Sequence, residues 1–406
     1  MTGTTIFNSA TAWTRRRLLK GAVYPLMAGA LAVLPAMQPA AAADELTIGM
    51  SHAHTGWAAT FDVAFTEGFG FAVDEINAAG GIDGTIPIRL IQGRDTASSA
   101  AEAVKSVDAL LAEDVDVLIM SADSSSTIAA GLAGQKKGIL MLASTGSQPS
   151  IAGQVGDWMY LSNFGDNLMG AALAIYARED LGIETAFLLK SSDDVYTEML
   201  PEYFAQTFTK RGGTIVGEAE YTFEQVNFGN VIAQIRALPE APDAIMTGAF
   251  EPDFPAFLRQ LRAAGITARV LGADAIDTPT IFSLGPVSDG TVVLTNRVPV
   301  EGSAYKQIEA RFAKVHPEHL DNAAWIVGYT AVQVLAEATR RAGSTETGAL
   351  RAAIEAMEGF EGPSGPISYA GRNRVPLWPV HVLEVENGTG AFKKTIVLDA
   401  ADIPAP

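Results

Sequence analysis

The chain alternates short apolar runs with longer stretches whose apolar residues recur every three or four positions. The run LTIGM at 46–50 has the length and composition of a buried strand. The next stretch places its apolar residues on one helical face, at spacings of four, four, three and four: Phe61, Phe65, Phe69, Ala72 and Ile76. Gly80 and Gly81 follow directly and predict a left-handed C-terminal cap. The pattern therefore predicts a strand followed by an amphipathic helix.

Strand and helix patterns continue to alternate up to the run ILMLAS, which ends at residue 144. The further strands read PIRLIQGRD, VDVLIM and ILMLAS, and the helices between them read SSAAEAVKSVDALLAED and STIAAGLAGQKKG. A β–α–β–α order needs crossover connections, which make consecutive strands parallel and place helices on both faces of the sheet. This part of the chain predicts an α/β, doubly wound parallel sheet.

A second α/β series begins with the helical pattern DNLMGAALAIYAREDLG at 166–182. It continues through the strands TAFLLK, TIVGEAEY, DAIMTG and RVLGAD, with a helical pattern between each pair. Residues 302–357 are mostly helical in pattern, and the chain ends in the extended segments GPISYA, LWPVHVLEV and KKTIVL. Two successive α/β series with a returning tail predict two α/β lobes, each built on a doubly wound parallel sheet.

Residues 1–43 have the composition of an export signal. TRRRLLK at 14–20 is followed by a short apolar stretch and by a small-residue cleavage site that ends at Ala43. The paired arginines followed by LLK are similar to the twin-arginine export motif. A membrane anchor is the alternative, but the apolar run is short and contains Pro25 and Pro35. We expect a cleaved signal peptide and a periplasmic location.

Composition narrows the classes of partner. Without residues 1–43 the chain has 24 basic and 46 acidic residues, a formal net charge of −22, because four of the 28 basic residues lie in that segment. Such an acidic protein has no electrostatic footprint for nucleic acid or an anionic membrane surface. The sequence contains no Cys, which excludes disulfides, thiolate metal sites and a lipid-anchored N-terminal Cys. We expect no nucleic acid partner, and a monomer.

Motifs for catalysis and cofactors are missing from the sequence. No serine lies in a G-x-S-x-G elbow, GLAGQKKG lacks the ending of a P-loop, and GFG at 68–70 lacks the third glycine of a dinucleotide site. His52 and His54 lie on the same side of a predicted strand end, but the sequence names no third metal ligand. We therefore expect no enzyme activity, no cofactor and no metal.

Hydroxyl side chains follow adjacent strands of the first predicted sheet. SADSSST at 121–127 and STGS at 144–147 end two strands, and HAHTG at 52–56 ends the first. In open α/β sheets ligands bind at the carboxyl ends of the strands. Hydroxyls, backbone N–H groups and helix N-termini together suit a carboxylate. The alternative is that one serine only caps a helix, which leaves the other hydroxyls unexplained.

Acidic and aromatic residues follow the strands of the second predicted sheet. SSDDVY at 191–196, TGAFEPD at 247–253 and LGAD at 271–274 each end a strand. Carboxylates at this edge predict a partner for an ammonium group, and Asp274 is favoured over Asp194. The alternative is that these acids are helix caps, as expected for Asp194, which precedes a helix.

The chain resembles the periplasmic substrate-binding proteins of ABC transporters, in the branched-chain amino acid binding group. The resemblance covers nearly the whole exported chain and is carried by these stretches: AVDEINAAGGIDG, QGRDTASSAAEAVKSVDALLAEDVDVLIM, SSST, KKGILML, SSDDVY, the spacing from TGAFEPD to LGAD, and WIVGYTAVQVLAEATRRAG. It implies a type I periplasmic binding fold: two lobes joined by three crossover strands, a ligand cleft between them, closure by hinge motion, and docking on membrane permease subunits.

The resemblance also implies lobe boundaries and ligand-binding residues. The N-terminal lobe is expected at 44–163 plus 297–368, and the C-terminal lobe at 164–296 plus 369–406. Ser124 or Ser125, with Thr145 and Ser147, would hold a ligand carboxylate, and Asp274 the ammonium. The expected ligand-binding residues are Trp57, Phe61, Ser124, Ser125, Thr145, Ser147, Tyr196, Phe250 and Asp274.

The sequence departs from the family pattern around the expected pocket. HTGW places Trp57 where a proline is usual, Asp274 is shorter than the usual glutamate, and Phe250–Glu251 replaces two tyrosines. We expect a small amino acid-like ligand, with an apolar or aromatic side chain, delivered to an ABC importer. The alternatives are a short amide, urea or aromatic carboxylate on the same fold, a ligand sensor, or a secreted hydrolase that uses a serine of SADSSST.

Overall fold

Apolar strands and one-sided helices form the first sheet and its covering layers. In this computed structural model the described residues are 45–406, so the export signal expected at 1–43 lies outside them. The elements of the first series are β1 Leu46–Met50, α1 Ala59–Ala78, β2 Ile88–Gln92, α2 Ala100–Leu110, β3 Val117–Met120, α3 Ser124–Lys137, β4 Leu140–Ala143, α4 Ser150–Val155 and β5 Met159–Leu161. The strands pair in parallel in the order β2-β1-β3-β4-β5, as the alternation predicts.

The second series forms a separate sheet. Its elements are α5 Asp166–Ile175 continued by a π-turn, β6 Thr185–Lys190, α6 Val195–Lys210, β7 Thr214–Glu220, α7 Gly229–Arg236, β8 Ala244–Thr247, α8 Asp253–Ala263, β9 Arg269–Leu271, α9 Pro279–Ser283 and β10 Val292–Thr295. The C-terminal part adds α10 Ala304–Phe312, α11 Ala324–Ala342, α12 Thr347–Glu355, β11 Phe360–Gly362, β12 Gly365–Ile367, β13 Val380–Glu386 and β14 Thr389–Ile396.

The seven strands of this sheet lie in the order β14-β13-β10-β9-β8-β6-β7. The five strands from β10 to β7 are parallel, and β13 and β14 join antiparallel. A connection of two residues links β13 to β14, and so tight a hairpin allows only antiparallel pairing. The sheet is therefore mixed, where the sequence pattern predicted a parallel one.

The chain leaves the first sheet after β5, returns to it after β10 by packing α11 on α1, and joins the second sheet again at β13. The lobe boundaries expected at 163/164, 296/297 and 368/369 fall in these connections, and we keep that division as a proposal. Within residues 45–406 no helix has the length and apolar character needed to cross a bilayer.

Helix α11 returns to the first sheet and packs directly on α1. A Cβ added to Gly68 of α1 would lie 1.8 Å from the carbonyl oxygen of Trp325, and one added to Gly328 would lie 2.1 Å from that of Phe65. Only glycine permits this approach of the two backbones. It places the start of α11 beside the residues that follow β1, and so helps to form the cleft.

Candidate ligand-binding site

A narrow cavity of about 50 Å³ lies where the carboxyl ends of the parallel strands of both sheets face each other. In each sheet the strand order reverses at one point, between β1 and β3 and between β6 and β8, and such switch points open crevices for ligands. Eight of the nine expected ligand-binding residues line the cavity: Trp57, Phe61, Ser124, Thr145, Ser147, Tyr196, Phe250 and Asp274. The ninth, Ser125, does not.

The hydroxyls of SADSSST have different partners. Asp123 caps α3 by accepting hydrogen bonds from the backbone N–H and the hydroxyl of Ser126, at 3.0 and 2.6 Å. Thr127 donates to the carbonyl oxygen of Ser121 at 2.9 Å. Ser124 is buried and lines the cavity, whereas Ser125 bonds to an acid of the second sheet. The helix cap is therefore an aspartate, and of the four hydroxyls at 124–127 only that of Ser124 belongs to a residue that lines the cavity.

A buried carboxylate beneath the cavity joins the ends of three strands. Asp62 of α1 accepts from the backbone N–H groups of Ala53 and Ala122, each at 2.8 Å, and from the hydroxyls of Ser121 at 2.6 Å and Ser144 at 3.3 Å. Burial raises the pKa of Asp62 to about 6 despite these four bonds. Asp62 therefore holds the segments after β1, β3 and β4 in one arrangement.

Sequence reasoning missed Asp62 because its neighbours in FDVAF are apolar and define a helix face. The signal was present, since an acid within an apolar helical stretch indicates a buried carboxylate that needs several donors. Two hydroxyls expected to converge at the strand ends, those of Ser121 and Ser144, satisfy this carboxylate instead.

The second hydroxyl cluster faces the cavity more directly. Thr145 and Ser147 both line it, and the Thr145 hydroxyl is buried with no hydrogen-bond partner in the described part of the chain. A buried hydroxyl without a partner carries a desolvation cost that a ligand can remove. These two residues are placed as the strand-end pattern predicted.

Asp274 follows β9 and begins a short 3₁₀ turn on the opposite side of the cavity. Its carboxylate accepts from Asn163 Nδ2 at 2.9 Å and from the Tyr196 hydroxyl at 3.3 Å. Burial raises the pKa of Asp274 to about 6. A partly satisfied carboxylate with this environment is a natural partner for a cation.

Asp194, which the expected set left out, also lines the cavity. It caps α6 through the backbone N–H of Tyr196 at 2.9 Å. Its other oxygen accepts from the hydroxyl and the N–H of Ser125, at 2.8 and 3.3 Å. Burial and the neighbouring Asp123 raise the pKa of Asp194. The cap was expected from the sequence, but the bond to the first lobe was not.

Aromatic rings form one wall of the cavity. Trp57 stacks on Phe250 with ring centroids 4.9 Å apart and planes inclined by 26°. Phe61 meets Phe250 edge-on at 5.9 Å, and Tyr196 lies 6.5 Å from it. Phe223, which the sequence did not single out, extends the cluster at 5.2 Å from Phe250. Residues from both sheets thus build one apolar surface.

The two histidines of HAH do not share a side, which corrects that expectation. His52 is buried and its Nδ1 lies 2.8 Å from the Thr66 hydroxyl, whereas His54 is exposed. Burial lowers the pKa of His52 to about 3, so the ring is neutral. Between residues 45 and 406 no three His, Asp or Glu side chains are grouped to hold a metal ion.

The cavity is therefore acidic and aromatic. Asp194 and Asp274 are its two ionisable acids, and no Lys, Arg or His is among the described residues that line it. No histidine is available there to activate a serine. This arrangement can bind an organic cation or zwitterion by charge, hydrogen bonds and stacking, and it needs no chemical step.

A family profile described as "Periplasmic binding protein" matches residues 45–390. A Leu/Ile/Val-binding protein homolog from Brucella suis is 26% identical over 347 residues, covering 84% of this chain and 90% of that protein. A leucine binding protein from Thermotoga maritima has a TM-score of 0.77 at 24% identity, covering 87% of this chain and 99% of the other. An R. palustris solute binding protein of an ABC transporter, in complex with benzoate, has a TM-score of 0.76 at 20% identity, covering 89% and 97%.

These matches confirm the expected resemblance and the expected fold. The profile spans nearly all of the described chain, and the two solved structures share the fold although few residues are identical. The neighbours bind chemically different ligands, so the ligand of this chain depends on its own cavity.

Proposed function

The chain belongs to the periplasmic binding protein family, and we propose that it binds a small amino acid-like solute and delivers it to an ABC importer. The observation that carries this proposal is the Asp274 carboxylate, which faces a cavity without a cationic side chain. An ammonium group on the ligand would supply the missing charge with strong, charge-assisted hydrogen bonds.

The rest of the cavity fits the remaining parts of such a ligand. Trp57, Phe61 and Phe250 offer a wall for an apolar or aromatic side chain, whose full burial contributes roughly 1.5–3 kcal/mol. Thr145 and Ser147 offer hydroxyls that either donate or accept, and so can bind the polar end of the ligand.

The same charges argue against two other functions. An aromatic carboxylate, such as the benzoate bound by the R. palustris protein, would face Asp194 and Asp274 without a compensating cation. A serine hydrolase needs a general base, and the hydroxyl of Ser125 donates to a carboxylate cap instead of a histidine. Both are therefore less well supported than ligand binding without catalysis.

We also propose how the protein is exported and how it passes its ligand to the importer. The family members are periplasmic, and residues 1–43 would be a twin-arginine signal cleaved near Ala43. The two lobes, divided at 163/164, 296/297 and 368/369, would close on the ligand, and the closed monomer would dock on permease subunits. Sensing by a membrane partner would use the same closure.

Native mass spectrometry of the exported protein, residues 44–406, tests the proposal. Protein purified without added ligand is sprayed intact and again after denaturation. We expect a released molecule that carries a basic nitrogen. A released acid without nitrogen would contradict the proposal, as would a protein whose melting temperature no amino acid, amine or amide raises.

A further inference from the structure

Ser125, which adjoins the cavity-lining Ser124 and was expected to hold a ligand carboxylate, already binds a carboxylate of the protein. The N-terminus of α3, a helix of 14 residues, presents the N–H and the hydroxyl of Ser125. Both donate to Oδ2 of Asp194, which heads α6 on the other side of the cleft. Free N–H groups and a hydroxyl at a helix N-terminus are the groups that an anionic ligand would use. Asp194 therefore takes the place of such an anion.

The hydrogen bonds that link Asp274, Asn163 and Asn296 leave the side-chain oxygen of Asn296, an acceptor, without a donor at the cavity. Asp274 accepts from Nδ2 of Asn163, whose Oδ1 in turn accepts from the backbone of Phe164 at 2.9 Å and from Asn296 Nδ2 at 3.1 Å. Because each amide has one donor side and one acceptor side, this chain of bonds fixes the orientation of Asn296.

Asn296 is 1% exposed, it lines the cavity, and its Oδ1 is buried without a partner among residues 45–406. A buried acceptor in this state calls for a donor from the ligand. Together with the carboxylates of Asp194 and Asp274, it makes the cavity rich in acceptors and negative in charge.

The aromatic wall strengthens the same preference. The faces of Trp57 and Phe250 carry negative quadrupole charge, and they border a cavity whose ionised groups are both acids. A cationic nitrogen is favoured by the rings and by the acids together. A free carboxylate on the ligand would be repelled by Asp194, and the N–H and hydroxyl of Ser125 could not bind it because both already donate to Asp194.

We propose that the ligand is a primary amine without a free carboxylate, either a simple amine or the amide of an apolar or aromatic amino acid, because Asp194 occupies the anion position on Ser125. This inference rests on the proposed function, since it assumes that the cavity binds an ammonium-bearing solute. The ammonium or amide N–H groups of the ligand would donate to Asp194, Asp274 and Asn296. The hydroxyls of Thr145 and Ser147 would donate to an amide oxygen.

Calorimetric titration with ligands that share one side chain tests the inference on ligand-free exported protein. The phenylalanine set is L-phenylalaninamide, 2-phenylethylamine, L-phenylalanine and 3-phenylpropanoate. The leucine set is L-leucinamide, 3-methylbutylamine, L-leucine and 4-methylpentanoate. We expect the amide or the amine of the favoured set to bind at least about tenfold more tightly than its amino acid, because like charges oppose the latter.

Asp194→Asn isolates the cause. Asparagine keeps the cap on α6, so the helix should form as before, while the charge opposite Ser125 is removed. We expect the ratio of amide to amino acid affinity to shift at least about tenfold toward the amino acid. Asp193→Asn is the matched control, since it makes the same change at the adjacent, exposed position and should leave the ratio unchanged.

The titrations distinguish failure of this inference from failure of the proposed amino acid-like ligand binding. If the free amino acid binds most tightly and Asp194→Asn does not change the ratio, Asp194 moves aside for the ligand. The inference is then wrong, while the amino acid-binding function stands. If only the acid without an amine binds, or if no member of either set binds, both the inference and the proposed function are overturned.

Discussion

Buried aspartates lie at the carboxyl edge of both sheets, yet they are in different states. Asp62, at the edge of the five-stranded sheet, accepts four hydrogen bonds, which fill the four acceptor positions of a carboxylate. Asp274, at the edge of the seven-stranded sheet, receives hydrogen bonds from only two side chains and borders the cavity. The acceptor positions of Asp62 are filled by donors of the protein, whereas Asp274 has acceptor positions left for donors of a ligand.

The difference shows how the same residue type acquires different roles. Burial raises the pKa of both groups to about 6, so electrostatics alone does not distinguish them. The number of protein donors does, because a carboxylate whose acceptor positions are filled gains little from a ligand. Substitution of each carboxylate and a change of pH test that distinction.

Asp274→Ala should weaken binding of the tightest amine or amide most strongly. Loss of one partner of a buried charge pair costs about 2–5 kcal/mol, or roughly 30- to several thousand-fold in affinity. Calorimetric titration measures the change, and Asp289→Ala, an exposed acid in the same part of the chain, is the control. Equal affinity in the two variants would remove Asp274 from the site.

Asp62→Asn should lower the free energy of unfolding. It should weaken ligand binding only indirectly, because Asp62 does not line the cavity. An amide keeps one acceptor oxygen, so its NH2 must face either Ala53 and Ser121 or Ala122 and Ser144. We expect a loss of about 3 kcal/mol in the free energy of unfolding, because buried donors lose their acceptor. Urea unfolding measures it, with Asp74→Asn on the exposed side of α1 as control. A loss under about 1 kcal/mol would show that the four hydrogen bonds to Asp62 are not needed for stability.

Lowering the pH should weaken binding of an amine that stays protonated between pH 5 and 8, such as 2-phenylethylamine. Such a ligand prefers ionised Asp274, whose pKa in the free protein is about 6. Affinity should therefore be near its maximum above pH 7, fall as pH drops through 6, and decline by up to about tenfold per pH unit below that. Asp194, whose pKa is also raised, adds to the same trend.

Titrations at several pH values between 5 and 8 provide the measurement. Asp274→Asn should flatten most of the dependence, because asparagine does not ionise. Affinity that stays level or rises toward pH 5 in the unmodified protein would argue against a cation bound to this carboxylate.

Ser125→Ala should have the smallest effect on amine binding. The hydroxyl of Ser125 bonds to Asp194 and does not line the cavity, so its removal should cost about 1 kcal/mol or less. Ser147→Ala is the comparison, since Ser147 lines the cavity, and it should weaken an amide ligand more. A larger loss at Ser125 than at Ser147 would mean that Ser125 contacts the ligand itself.

Much of the cavity followed from the sequence because parallel strands bring their carboxyl ends to one edge. The position of Ser124, Thr145 and Tyr196 after apolar runs was enough to place them near a common cleft. The helical face of α1 likewise predicted that Phe65 and Phe69 are buried, and both are fully buried. Asp274 was favoured in the same way, the family pattern added Phe61, and Trp57 stands where that pattern has a proline; all three line the cavity.

Periodicity thus determined the elements, their order and the edge where polar side chains gather, since these depend on neighbouring residues. Only the tertiary structure decided which polar groups pair. Asp62 and Ser121 are 59 residues apart, Ser125 and Asp194 are 69 apart, and Asn163 and Asp274 are 111 apart. A hydrogen bond requires its two atoms to lie within about 3 Å, and residues so far apart in sequence come this close only when the chain is folded. That pairing is why Asp62 is buried among four donors, why Asp194 binds Ser125, and why Asp274 borders the cavity and is the proposed partner of a ligand.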